Sequence, residues 1–99
     1  MYIHIALFKW KQNVTTAQIK KTLQSIKKLK TKIKGVTSIY CGKNVHKMAK
    51  GFTHGAVIIA ENKSALTSYR KHVDHIQIAE TVIATTKDGL GFDFEDSQI

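Results

Sequence analysis

The chain has 99 residues, and since single hydrophobic cores run to roughly 50 to 200 residues, positions 1–99 read as one domain. A composition of 42% hydrophobic and 23% charged residues excludes a disordered chain. The longest apolar stretches, such as residues 56–60, fall far short of the roughly 20 residues a membrane helix needs. The single cysteine, Cys41, excludes an intramolecular disulfide and a multi-cysteine zinc site. With no basic segment ahead of an apolar run at the start, the expected location is the cytoplasm, with no membrane partner.

The net charge of +9 is unevenly placed, because residues 1–60 hold twelve lysines and no acid, and seven of those lysines lie between Lys20 and Lys34. Such a patch attracts polyanions through counterion release. No aromatic residue interleaves with the lysines to stack on bases, however, and no nucleic-acid-binding motif accompanies them. A solvated helix face is the plainer reading, and no specific nucleic-acid partner is expected.

In chain order, residues 2–10 are rich in β-branched and aromatic types without a breaker and predict a strand. Its alternate positions Tyr2, His4, Ala6, Phe8 and Trp10 share one face, and Ile3, Ile5 and Leu7 the other. Thr15 followed three residues later by Gln18 makes a capping box. The helix it opens carries Ile19, Leu23, Ile26, Leu29 and Ile33 as one apolar stripe and ends at Gly35. Residues 36–42 predict a second strand, 43–51 a polar loop and 52–61 a third strand. Asn62 or Ser64 can cap a second helical region through Ala65, Leu66 and Tyr69, and Asp74 can restart it through Ile76, Ile78, Ala79, Val82 and Ile83. Lys87-Asp88-Gly89 is read as a turn before a last strand in which Leu90, Phe92 and Phe94 alternate with Gly91, Asp93 and Glu95.

Strand, helix, strand, strand, helix, strand is the split βαβ order of an α+β, ferredoxin-like sandwich with a four-stranded antiparallel sheet. Helices would cover one face of that sheet. The first and third strands, its central pair, are apolar on both faces, so Ile3, Ile5, Leu7, Val57 and Ile59 would stand open in a monomer. A homodimer packed through the sheet face, closing a dimeric α+β barrel, is the simplest solution.

The residues able to do chemistry are histidines and one tyrosine. His4 and His54 share the helix-side parity of two neighbouring strands and can approach one another. His72 and His75 are three apart with Tyr69 a further turn back, which in a continuous helix gathers them on one side. Imidazole is an acid or base near neutral pH, and a phenol can donate to a developing oxyanion. His4 or His54 taken singly also reads as a satisfied core group. No HExxH pattern and no Gly-rich phosphate loop are present, so neither a metal nor a cofactor is expected.

The opening H-I-A-L-F-K-W-K (4–11), K-G-V-T-S-I (34–39), G-F-T-H (51–54), Y-R-K-H-V-D-H (69–75) and the closing F-D-F-E (92–95) together resemble the stress-responsive α/β barrel (Dabb) domain family. The resemblance implies a ferredoxin-like chain that pairs into a dimeric barrel. It also implies similarity to the family's plant polyketide cyclase that makes olivetolic acid, in which a tyrosine and a histidine drive aldol cyclisation without a cofactor. The matching positions are Tyr69 and His75 as catalytic groups, with His4 and His54 in the pocket. Leu23 and Ile26 stand where the cyclase has pocket aromatics, and His72-Val73-Asp74-His75 replaces its His-Pro-x-His, so the proline turn is missing.

The reading is therefore a dimeric stress-responsive barrel whose pocket, bounded by Tyr69, His75, His4, His54, Leu23, Ile26 and His72, binds a small apolar or aromatic molecule. Cofactor-free acid/base chemistry of the cyclase type is the leading activity. A non-enzymatic stress or structural protein acting through assembly is the alternative, with polyanion binding through the lysine-rich helix third.

Overall fold

The computed structural model describes residues 1–99. The elements are β1 (Tyr2–Trp10), α1 (Thr16–Lys28) running into a 3-10 turn (Leu29–Thr31), β2 (Val36–Lys43), β3 (His54–Ala60), α2 (Lys63–Lys71), α3 (Val73–Thr85) and β4 (Thr86–Glu95). All pairs are antiparallel in the order β2-β3-β1-β4, so β1 and β3 are the central pair. This is the expected ferredoxin-like arrangement.

Local chemistry explains the boundaries. Thr15 Oγ1 accepts from the Gln18 N–H at 3.1 Å while Gln18 Oε1 accepts from the Thr15 N–H at 2.8 Å, the reciprocal box that opens α1. The helix tightens to 3-10 geometry after Lys28, earlier than its apolar stripe suggested, and the chain reverses at Gly35 with φ +88°. Any Cβ there would meet Ala65 Cβ at 2.6 Å, so only glycine fits under α2. Of the two candidate caps for α2, Asn62 is the one used, its Oδ1 accepting from the Ala65 N–H at 2.8 Å.

Two expectations need correction. Residues 87–89 make no turn: Thr86 leaves the helix in an extended conformation (φ −104°, ψ 144°), and β4 begins there. The change of direction is absorbed by Thr86, whose hydroxyl bonds the Val82 carbonyl at 2.7 Å, and Gly89 lies within the strand opposite Phe8. The second helical region does restart, but the cap is His72 and not Asp74: His72 separates α2 from α3, and its imidazole caps the second.

Between helices and sheet lies the core, with Leu29, Ile58 and Ala60 completely enclosed and Phe8, Ile26, Ile39, Leu66 and Tyr69 around them. The other sheet face has no cover. Ile3, Ile5 and Leu7 pair there with Phe94, Phe92 and Leu90, so the apolar surface runs from the central strands onto the β4 edge, where Phe92 is 61% exposed. The molecule is a slab of 36 × 31 × 17 Å with one bare apolar side.

Candidate functional site

The helix side of the sheet is where functional groups gather. Strand parity brings His4, Ala6 and Phe8 of β1 and Ala56 and Ile58 of β3 to that side. Above them, Tyr69 stands in the last turn of α2 and His75 in the first turn of α3. The break at His72 (φ −63°, ψ 136°) sets their relation, since one continuous helix would carry positions 69 and 75 past each other. With the break, the two rings lie 4.5 Å apart between centroids at 50°, and His4 lies 6.3 Å from Tyr69. These three polar groups face a cavity of about 170 Å³ whose other walls are apolar: Ala6, Phe8, Ile26, Ala56, Ile58, Ile78, Ala79, Val82 and Ile83 among them.

The sequence-predicted residues thus divide. Tyr69, His75, His4 and Ile26 meet around one cavity. Leu23 packs against the core beside it. His72 is turned to the helix junction, where Nδ1 accepts from the Asp74 N–H at 3.1 Å and caps α3, replacing the rigid turn a proline would give. His54 does not approach His4: it pairs with Phe8, whereas His4 pairs with Ile58, so the two are four residues apart along the sheet. His54 instead accepts from Trp10 Nε1 at 3.0 Å. No three His, Cys, Asp or Glu side chains converge as ligands for a metal ion.

Two residues outside the predicted set complete the site. Asp93 of β4 stands opposite His4, and its Oδ1 lies 2.5 Å from His4 Nδ1. Its other oxygen accepts from Arg70 Nη2, which reaches across from α2. Arg70 and His4 approach to 3.4 Å because both donate to one carboxylate; neither nitrogen has a lone pair to offer the other. Partial burial works against the charge on Asp93, but the hydrogen bonds from His4 and Arg70 outweigh it and hold the carboxyl below its ordinary pKa. The alternation F-D-F-E placed Asp93 opposite the phenylalanines; what sequence could not supply was the register that sets Asp93 beside His4 on the helix side.

The electrostatics of the central pair are set first by burial. The His75 imidazole is pushed below its ordinary pKa by desolvation, partly opposed by its bond to the Arg70 carbonyl and reinforced by nearby His4 and Arg70. The Tyr69 phenol is pushed up, again mainly by burial, and stays protonated across the neutral range. His75 Nδ1 lies 3.1 Å from the Arg70 carbonyl oxygen. A carbonyl only accepts, so Nδ1 carries the hydrogen and Nε2 keeps its lone pair. The arrangement is a neutral base beside a protonated phenol in an apolar cavity.

Solved structures share this architecture. An Arabidopsis thaliana protein superimposes with a TM-score of 0.90 at 22% identity, covering 100% of this chain and 98% of that one. A dimeric ferredoxin-like protein of unknown function from Thermobifida fusca gives 0.82 at 22% identity, over 94% and 88%. The hydroxynitrile lyase of Passiflora edulis gives 0.88 at 13% identity, over 99% and 95%. None of the curated proteins matches the chain in sequence. No helix is long and apolar enough to cross a membrane. The sequence model of the Stress Responsive A/B Barrel Domain, Dabb, matches residues 3–96, and the chain belongs to that family.

Proposed function

We propose that this chain is a homodimeric barrel protein that binds a small apolar or aromatic carbonyl compound and performs cofactor-free acid/base chemistry on it, of the kind used in aldol cyclisation. The observation that carries the reading is the pairing of Tyr69 with His75 at 4.5 Å on a mainly apolar cavity, with the His75 Nδ1–H tied to a backbone carbonyl. His75 Nε2 removes a proton from the carbon next to the carbonyl. The electron pair moves to oxygen, and the enolate accepts a hydrogen bond from the Tyr69 hydroxyl. The enolate carbon attacks a second carbonyl of the same molecule, and His75 returns its proton to the resulting alkoxide. Asp93 orients His4 at the edge of the site, and Arg70 balances the carboxylate charge.

A hydroxynitrile lyase stands among the structural neighbours, so lyase chemistry is one use to which this fold is put. The test is α-proton exchange in deuterated water, followed by NMR on simple aryl and alkyl ketones. Exchange above the buffer rate that is lost in His75→Ala bears the reading out. A wild-type protein that exchanges nothing, together with a large melting loss in His75→Ala, moves the function to assembly.

The dimer half of the reading is supported by the bare sheet face and by the neighbours described as dimeric. Covering Ile5, Leu7, Leu90 and Phe92 with a second copy stabilises by roughly 1.5 to 3 kcal/mol for each fully buried side chain. Sedimentation equilibrium of Leu7→Lys is expected to show monomer or unfolded chain where the wild type shows twice the monomer mass.

A further inference from the structure

The helix layer carries a second feature that the cavity does not use. α1 lies over β2, the edge strand of the sheet, and meets α3 along one flank. Thr22, Leu23 and Ile26 turn toward the core, and at about 100° per residue the outward crest of the helix falls to Ala17 and Gln24. Lys21 and Lys28 stand on the shoulder toward α3 and Lys20 and Lys27 on the opposite one, the two lysines of each row lying two turns, or ~10.5 Å, apart. All four are exposed, and none has an acid within ion-pair distance. Across the α3 flank they face Gln77, Thr81 and Thr85, while Asp74, the acid there, is already held by Lys32 at 2.8 Å. The helix dipole accounts for Lys27 and Lys28 in the last turn, but it gives no support to Lys20 and Lys21 in the first half, where no acid stands in the first turn. Nothing within the chain neutralises the two rows.

We propose that α1 is a docking ridge for double-stranded DNA, entering the major groove with one lysine row on each phosphate strand and reading no sequence. An α-helix with its side chains measures about 10–12 Å across and the B-form major groove about 12 Å, so the crest fits between the two backbones that the shoulders contact. Sequence is left unread because the crest offers a single hydrogen-bonding side chain, Gln24, and no aromatic residue stands on α1 to stack on bases. A flat anionic bilayer suits the ridge less well: it would touch the crest first, and neither Ala17 nor Gln24 is an apolar anchor able to enter it. The deep, narrow major groove of duplex RNA admits no helix. The ridge stands on the helix layer, opposite the bare sheet face, so pairing of two copies leaves it open. This surface is independent of the carbonyl-binding reading of the cavity.

The experiment is fluorescence anisotropy of a labelled DNA duplex, two helical turns long, titrated with the full chain at salt concentrations from about 50 to 200 mM. Four phosphate contacts give a slope of log affinity against log salt of about −3.6, a loss on the order of a hundredfold across that range. Replacing either row, Lys20→Gln with Lys27→Gln or Lys21→Gln with Lys28→Gln, should reduce the slope by about 1.8, and each single substitution by about 0.9. All four positions are exposed and glutamine is nearly as good a helix former as lysine, so the variants keep the fold. Lys47→Gln with Lys50→Gln, which removes the same charge from the exposed β2–β3 loop, should leave the slope unchanged. Duplexes of different base sequence should bind alike, and duplex RNA and vesicles of anionic lipid at least tenfold more weakly. No binding at the lowest salt, a loop variant as weak as a row variant, a strong preference for one base sequence, or RNA or vesicle binding as tight as that of DNA each overturns the proposal.

Discussion

His75 and His54 sit on the same side of one sheet, and burial holds both imidazoles below their ordinary pKa, His54 with added repulsion from Lys43. Their hydrogen bonds point opposite ways. The indole of Trp10 only donates, so at His54 it is Nδ1 that accepts, its lone pair consumed by a structural bond that ties the end of β1 to the start of β3. At His75, Nδ1 donates to the Arg70 carbonyl, and the free lone pair is the one on Nε2. Two histidines that burial shifts in the same direction are thus a clasp and, in the proposed function, a base. The partner of a single ring nitrogen, more than the imidazole's pKa, decides which role each can take.

The strongest way to break this comparison is to remove each ring in turn. His75→Ala is expected to lower ketone α-exchange by about 10² to 10⁴, the range typical of a lost general base, whereas His54→Ala lowers the melting temperature and leaves exchange within a few-fold of wild type. Equal kinetic losses would erase the distinction. The pH profile sharpens it. A histidine whose folded pKa is depressed below its unfolded value of about 6.5 favours the native state above that value, and the contribution is lost as pH falls toward the folded pKa. The acid limb of exchange in the wild type should therefore lie below pH ~6.5 and remain in place in His54→Ala; a limb above that pH would deny His75 the role. The alkaline side should stay flat past the ordinary range of a phenol, because burial keeps Tyr69 protonated.

Smaller effects test the supporting bonds. Trp10→Phe keeps most of the ring packing against Phe8 and deletes the donor to His54, so a loss of roughly 0.5 to 1.5 kcal/mol in denaturant unfolding is expected with exchange unaffected. Asp93→Asn removes a carboxylate that is more than a third exposed, and screening keeps the expected loss near or below about 1 kcal/mol at neutral pH. Because the Asp93 carboxyl is held below its ordinary pKa, its contribution is present above pH ~4 and disappears as pH falls through the depressed value, so wild type and variant should converge in acid.

The same comparison shows what the sequence made legible. Alternation in residues 2–10 and 52–61 placed both His4 and His54 on the helix side, and the capping box placed α1. Parity assigns a face and says nothing of position along it, which depends on register between strands some fifty residues apart. That register, His4 opposite Ile58, separates the two histidines. His72 escaped for a local reason: an imidazole accepting a backbone N–H two residues on is an uncommon cap, and helical spacing alone treated it as a third site residue. Asp93 and Arg70 meet through a contact spanning 23 positions, which no short motif encodes.

In the proposed dimer, the uncovered side of the 17 Å slab makes the chain's own abundance a determinant of its folding. With part of the apolar packing supplied by a second copy, mass action enters the stability: the melting temperature climbs with protein concentration, and dilution alone can unfold material that is robust in a concentrated stock. Synthesis rate then sets the level of folded protein more steeply than in proportion, because each new chain also raises the chance that the chains already made find a partner before they are degraded.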